Sequence, residues 1–287
     1  MVILENVTFG YRYFETALTL RESMIINSMI FNSEVWYGTS ISQIEHLEEV
    51  DKMYLRKILD APISTPAEAL YLEMGCIPIG FIITARRVNY LHYLVHLKDT
   101  EMLHTFFEVQ WKWPCKYDWT ETVKEDLKLL NIDYDMVKSM KQEKFSKLVK
   151  ERCMKVALSY LLDLKQRHSK MDNLKYSELK QQNIYKSKEI YSGFAKKLFK
   201  WRTRMFDLKN NFCTKYADLS CPLCFKHIDK DEALLTCETI LSEKTTPKID
   251  FIYKELFGEE IQKVFSIGKL LDEAWTIRNL KLDKISQ

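Results

Sequence analysis

Cys221-Pro-Leu-Cys224 sets two thiols around a tight turn, and Cys237 follows thirteen residues later. Thiolates at this spacing are the donors of a structural zinc site, where four ligands surround the ion as a tetrahedron. The segment supplies three thiols, so the expected cofactor, zinc, has an open fourth position. The alternative is a turn with two free thiols beside an amphipathic helix. The chain has 7 cysteines, spread over 287 residues. With no apparent signal peptide or long uncharged apolar run, they point to thiols or ligands in a reducing compartment rather than to disulfides.

A second group of residues suits polyanions. In the run KKLFKWRTRMFDLK at residues 196–209, Lys196, Lys197, Lys200, Arg202, Arg204 and Lys209 interleave with Phe199, Trp201 and Phe206. Cations there would meet phosphates while Trp201 or Phe199 offers a ring for a base to stack on. The alternative reading of Phe199 and Phe206 is plain core. Residues 138–215 carry 21 Lys and Arg against 7 Asp and Glu, within a chain whose net charge is only +3. A basic segment joined to acidic flanks is the footprint of a nucleic-acid binder, although long surface helices with a solvated lysine face give the same count.

These groups must be held by helices. Only 7 Gly and 6 Pro leave few turns, and the apolar spacing is helical, so the fold class is mainly α. A mostly buried helix is expected over 14–37 and an amphipathic one from Ile41 through Ile44, Leu47, Tyr54, Leu55 and Ile58. Thr65-Pro66-Ala67-Glu68 reads as a capping box, with Thr65 at the N-cap, Pro66 at the first helical position and Glu68 reaching back. The short helix it opens ends at Gly75, and another runs from Pro78 to about Leu97. Residues 99–140 read as a connector around Trp111, Trp113 and Trp119, with one short helix from Thr120 to Leu130. A longer helix carries Phe145, Leu148, Val149, Val156 and Leu161 on one face, with Lys144, Lys147 and Lys155 off it. Five regions are expected: 1–98, 99–140, 141–212, 213–242 and 243–287.

The runs LRESMIINSMIFNSEVWY at 20–37, EVDK at 49–52, LRKILDAPISTP at 55–66 and EALYLEMGCIPI at 68–79 closely resemble the region that follows the catalytic palm in reverse transcriptases of animal non-LTR (LINE-type) retrotransposons. So does RTRMFDLKNNF at 202–212 leading into Cys221. The resemblance implies a thumb-like helical bundle over 1–98, a basic helical linker over 141–212, and a zinc knuckle over 213–242. Its partners would be RNA or DNA and other parts of a retrotransposon protein, in the nucleus or cytoplasm, with no membrane. In that family the knuckle commonly ends in a histidine four residues before its last cysteine. Here that position is Ala233, so the knuckle is degenerate. His227 is the nearest replacement as a fourth ligand, with Asp229, Asp231, Glu232 or water as other options.

Two decoys carry no chemistry. Tyr216-Ala-Asp218-Leu219 has the outline of a polymerase active-site motif, but Leu219 stands where a second metal-binding carboxylate is required. His92 and His96 have helical metal-ligand spacing without the glutamate of a zinc protease, and read as a packed helix face. The palm is absent, so no enzyme activity is expected of this chain. The alternatives are a helical protein-interaction scaffold, or an accessory segment that works only with a palm supplied in trans.

Overall fold

The computed structural model describes residues 10–116, 118–166, 179–240 and 254–285. It is mainly helical, as the spacing predicts, and no strand forms among the described residues. Isolated bridges join Met74 to Gln181 and Ser220 to Ile228. The helices are α1 (Gly10–Leu20), α2 (Ile41–Leu59), α3 (Ala67–Met74), α4 (Ile79–Val95), α5 (Met102–Lys112), α6 (Trp119–Leu130), α7 (Tyr134–Ser139), α8 (Gln142–Gln166), α9 (Ser192–Arg202), α10 (Asp231–Thr236) and α11 (Ile261–Ile285). No single helix among them is long and apolar enough to cross a membrane.

Two compact units result, and each is discontinuous in sequence. One takes residues 1–17, 56–75 and 164–287, the other 18–55 and 76–163. The boundaries expected at 98 and 140 therefore both fall inside the second unit. Amphipathic spacing tells which face of a helix is buried but not which helix it is buried against, and that choice divides the chain.

In the second unit, α4, α6 and α8 enclose Val88, Leu91, Trp119, Val123, Leu127, Phe145 and Val149. The second unit also holds two buried ion pairs. Arg21 donates to both Asp51 oxygens at 2.6 Å, and Arg87 donates to Asp126 at 2.6 and 2.9 Å, where Thr84 also donates. Arg21 opens a π-helical turn (Arg21–Ile26) that continues α1. The helix ends at Met29, eight residues short of the expected 37, and Asn32, with φ 53 in the left-handed region that asparagine tolerates, leads into a separate 3-10 turn (Ser33–Val35). The expected connector also holds a helix, α5. Its Phe107 is buried while Met102, Phe106, Val109 and Trp113 face outward, so apolar residues on two faces blur the periodicity.

In the first unit, α9 and α11 pack around Phe194, Leu198, Trp201, Leu271 and Ala274, all buried, with Phe194 edge-on to Phe265. Gly75 closes α3 with φ 66, as expected of a left-handed helix stop. A Cβ there would lie 2.0 Å from the Gln181 amide nitrogen, so glycine is also what lets the 180–182 segment approach. The capping box is not formed. Pro66, with ψ 142, is itself the residue before the first helical turn, which puts Thr65 one step too early. No side chain caps α3, and Thr65 Oγ1 is buried without a hydrogen bond.

Candidate metal centre and basic segment

The three thiols converge in the first unit. The sulfurs of Cys221, Cys224 and Cys237 lie within 4.8 Å of one another, with Cys221 Sγ 4.0 Å from Cys237 Sγ. Sulfurs sharing one tetrahedral zinc at about 2.3 Å stand about 3.8 Å apart, so this spacing fits an ion.

A tight hairpin makes the site. The Cys221 amide donates to the His227 carbonyl (2.6 Å) and the Phe225 amide to the Cys221 carbonyl (2.9 Å), with Phe225 left-handed at φ 55. This folds the Leu223 and Cys224 amides toward the Cys221 sulfur and the Lys226 and His227 amides toward the Cys224 sulfur. Burial nevertheless pushes the Cys221 thiol up to about 11. At Cys224 burial acts in the same direction, but the two amides and the neighbouring thiols outweigh it and hold the thiol below its usual range. Cys224 is thus the first of these two to ionise. The third sulfur comes from the end of α10, where the Cys237 amide donates to the Ala233 carbonyl at 2.8 Å.

No fourth protein ligand joins the thiols among the described residues. His227, expected as the nearest replacement, is exposed on the outgoing limb of the hairpin. Its carbonyl, rather than its ring, closes the turn. Asp229 is committed elsewhere, accepting from the Lys209 amide (3.0 Å) and from Arg278 (2.8 Å). Asp231 accepts from Asn211 at 3.2 Å and lies 3.7 Å from Arg204. The Glu232 side chain lies outside the described residues. Ala233, one helical turn before Cys237, is buried. The donor set therefore fits a thiophilic cation on three sides, and a methyl group occupies the helix position from which a histidine would complete it.

The basic run at 196–209 is arranged differently from the expectation. Trp201 is 1% exposed and stacks on Phe206, ring centroids 3.8 Å apart, while Phe206 meets Trp275 edge-on. It offers no ring to a base, and Phe199 is fully buried as well. Arg202 is buried 3.0 Å from Glu73 and so does not reach a phosphate. The remaining cations have protein neighbours too. Lys197 bonds Asp272 and Lys200 bonds Asp60, Lys209 bonds Asp218, Arg204 faces Asp231, and Lys196 stands over the Tyr13 ring. Three of the six expected contacts, Lys197, Lys200 and Lys209, are solvent-accessible pairs of the kind that adds little stability. Of the four cations on α9, Lys196, Lys197, Lys200 and Arg202, only Arg202 is buried.

Among the described residues, Lys144, Lys147, Lys150 and Lys155 of α8 are exposed and form no ion pair, and Lys141 precedes the helix. The apolar stripe of that helix placed its basic side outward in the sequence, as the structure has it. Asp218 of the polymerase-like decoy is exposed and shapes a turn. Its carboxyl is held down to about 2 by the Ser220 hydroxyl and amide, with Lys209 adding to the effect. No known protein family, curated protein or solved structure matches the chain.

Proposed function

We propose that the chain is a nucleic-acid-binding helical protein derived from the C-terminal part of a non-LTR retrotransposon reverse transcriptase, without polymerase chemistry of its own. In this reading the hairpin at 221–237 is a degenerate zinc knuckle that acts as a staple rather than a catalyst. The observation that carries the binding role is the row of unpaired lysines on α8. Exposed cations outside any ion pair are the ones that gain by meeting phosphates and releasing counterions, although Glu143 and Glu151 share their helix. The resemblance at 20–79 and 202–212 supports the origin.

The test is binding of a single-stranded RNA to the full chain as a function of salt. With about four phosphates neutralised, log affinity falls against log salt with a slope of about −3. Replacing Lys144, Lys147, Lys150 and Lys155 by Ser reduces that slope to near zero. A salt-independent affinity, or one unchanged in the quadruple variant, overturns the reading. A protein-interaction scaffold is the second reading, favoured by the outward stripe of Met102, Phe106, Val109 and Trp113 on and just after α5. It predicts that Phe106→Ser abolishes partner capture and leaves RNA affinity unchanged.

A further inference from the structure

The thiol cluster of the first unit lacks part of what zinc requires. Zinc in a structural site takes four ligands, and a zinc with three protein ligands keeps a water in the fourth position. A buried water of that kind needs polar partners. Asp229 and Asp231, the two buried carboxylates between the second thiol and the third, are already held by Lys209, Arg278, Asn211 and Arg204. One helical turn before Cys237 stands the buried methyl group of Ala233. Cys221 and Cys237 are buried as well, and only Cys224 is partly open to solvent. The cluster therefore offers three soft donors and, at the helix position from which a fourth would come, only carbon.

Monovalent copper requires less. It is a soft ion that thiolates select, and two or three of them complete its shell. At a metal–sulfur distance of about 2.3 Å, three sulfurs around an ion in their own plane stand about 4.0 Å apart, against about 3.8 Å around a tetrahedral ion. Cys221 Sγ and Cys237 Sγ are 4.0 Å apart, and the Cys224 sulfur lies within 4.8 Å of both, so a flat three-sulfur site fits at least as well as a tetrahedral one. An iron–sulfur cluster spreads its thiolates over several irons, which sets them farther apart than sulfurs that share one ion. A monovalent ion leaves more negative charge on the sulfurs than zinc does. The hairpin meets that charge with four amides, those of Leu223 and Cys224 at the Cys221 sulfur and those of Lys226 and His227 at the Cys224 sulfur. We propose that Cys221, Cys224 and Cys237 form a three-coordinate copper(I) site, and that Ala233 is the residue that turns the hairpin away from zinc. The inference rests on the reading of 221–237 as a metal-held staple.

The experiment uses the full chain, reduced and stripped of metal, with the exposed Cys115 and Cys213 replaced by Ser so that they hold no stray ion. Copper(I), supplied as its acetonitrile complex under nitrogen, is titrated in competition with a copper(I) chelator, and zinc(II) in competition with a zinc chelator. X-ray absorption counts the sulfur neighbours of the bound copper. The expected result is one copper per chain with three sulfur neighbours. Ala233→His should raise zinc affinity at least tenfold and change copper(I) affinity less than threefold. Cys237→Ser should weaken copper(I) at least tenfold with the helical circular dichroism intact, and Cys224→Ser, at the least buried of the three thiols, should do the same if the first variant fails to fold. Two sulfur neighbours, or a copper affinity that neither serine variant changes, overturns the proposal in favour of a two-thiolate site. An Ala233→His protein that gains equally for copper and zinc overturns it too, because the missing histidine then does not set the choice of ion. Zinc held by the native chain with four ligands, as tightly as by Ala233→His, sinks the copper assignment and leaves the staple standing. Binding of neither ion sinks both, while the salt dependence of RNA binding through the α8 lysines is read separately.

Discussion

Arg202 Nε lies 3.0 Å from Glu73 Oε1 with both side chains almost fully buried, tying the end of α9 to the end of α3 inside the first unit. Tyr185 donates to the other Glu73 oxygen at 2.9 Å, Gln182 accepts from Arg202 at 3.1 Å, and the Phe257 ring faces the guanidinium at 4.1 Å. Removing one member of such a pair strands the other charge. Arg202→Met is expected to lower stability by about 3–5 kcal/mol, whereas Arg202→Met combined with Glu73→Leu recovers much of the loss. Urea unfolding of the two variants decides it, and equal losses would show that the pair is not a unit.

The same site sets a pH dependence. Burial pushes the Glu73 carboxyl above its usual range, opposed by Arg202 and by the Tyr185 hydrogen bond. A carboxyl raised in the folded state holds its proton more tightly there than in the unfolded chain. Its contribution to stability is therefore fully present below the unfolded value of 4.5 and is lost as pH rises through the folded value. Glu73→Gln lacks this titration. The stability gap between wild type and Glu73→Gln should narrow as pH is raised above 4.5, and a gap that widens would mean that attraction to Arg202 outweighs burial.

Gly75 is expected to tolerate no side chain. Its φ of 66 strains any L-residue, and a Cβ would collide with backbone atoms of Lys180 and Gln181 that cannot swing away. Gly75→Ala should cost more than the 1–3 kcal/mol of strain alone, read as a lower unfolding midpoint. Gly38 has a similar φ of 61 with nothing near its missing Cβ, so Gly38→Ala should cost only the strain term.

The helix stops at Gly75 and Leu130 were legible because local chemistry decides them, one left-handed residue in each case: Gly75 itself and, after Leu130, Asn131. The Thr65 cap was not, because it turned on one backbone angle of Pro66. The basic run at 196–209 misled for another reason. Sequence spacing marks Arg202 as surface because arginine is charged, yet Phe194, Ala195, Leu198, Phe199, Trp201 and Arg202 all lie buried. Only the presence of Glu73, far away along the chain, makes a buried arginine tolerable there. His92 carried a similar ambiguity. It is packed, as its spacing suggested, but packing satisfied only one of its two nitrogens.

Trp201 and the α8 lysines should separate folding from binding. Trp201→Ala removes a fully packed indole and is expected to cost about 3–5 kcal/mol, with RNA affinity unchanged in the fraction that remains folded. Lys147→Ser, on an exposed side chain without an ion pair, should change stability by less than about 0.5 kcal/mol and lower RNA affinity at low salt. Thermal unfolding and fluorescence anisotropy on the same samples provide both readouts. A Trp201→Ala protein that folds normally but no longer binds RNA would restore the aromatic run as the binding surface.

The knuckle makes the sharpest prediction because one side chain separates three ligands from four. Cys221, Cys224 and Cys237 already converge, and the Cys237 amide bonds the Ala233 carbonyl, so position 233 sits one helical turn behind the last sulfur. Ala233→His should close a tetrahedron of three sulfurs and one nitrogen. A closed structural zinc site is worth about 10–16 kcal/mol of apparent binding energy. Even a tenth of that gained from the fourth ligand would raise resistance to a chelator about tenfold. His227→Ala should leave zinc affinity as it is, because the ring stays outside the thiol cluster and the backbone carbonyl that holds the turn is retained. Cys221→Ser should abolish binding. Zinc content and chelator competition on the four proteins test the set together. Loss of zinc in His227→Ala would show that the histidine swings in when the ion arrives, and equal, negligible zinc throughout would mean that three thiols at this spacing no longer hold a metal.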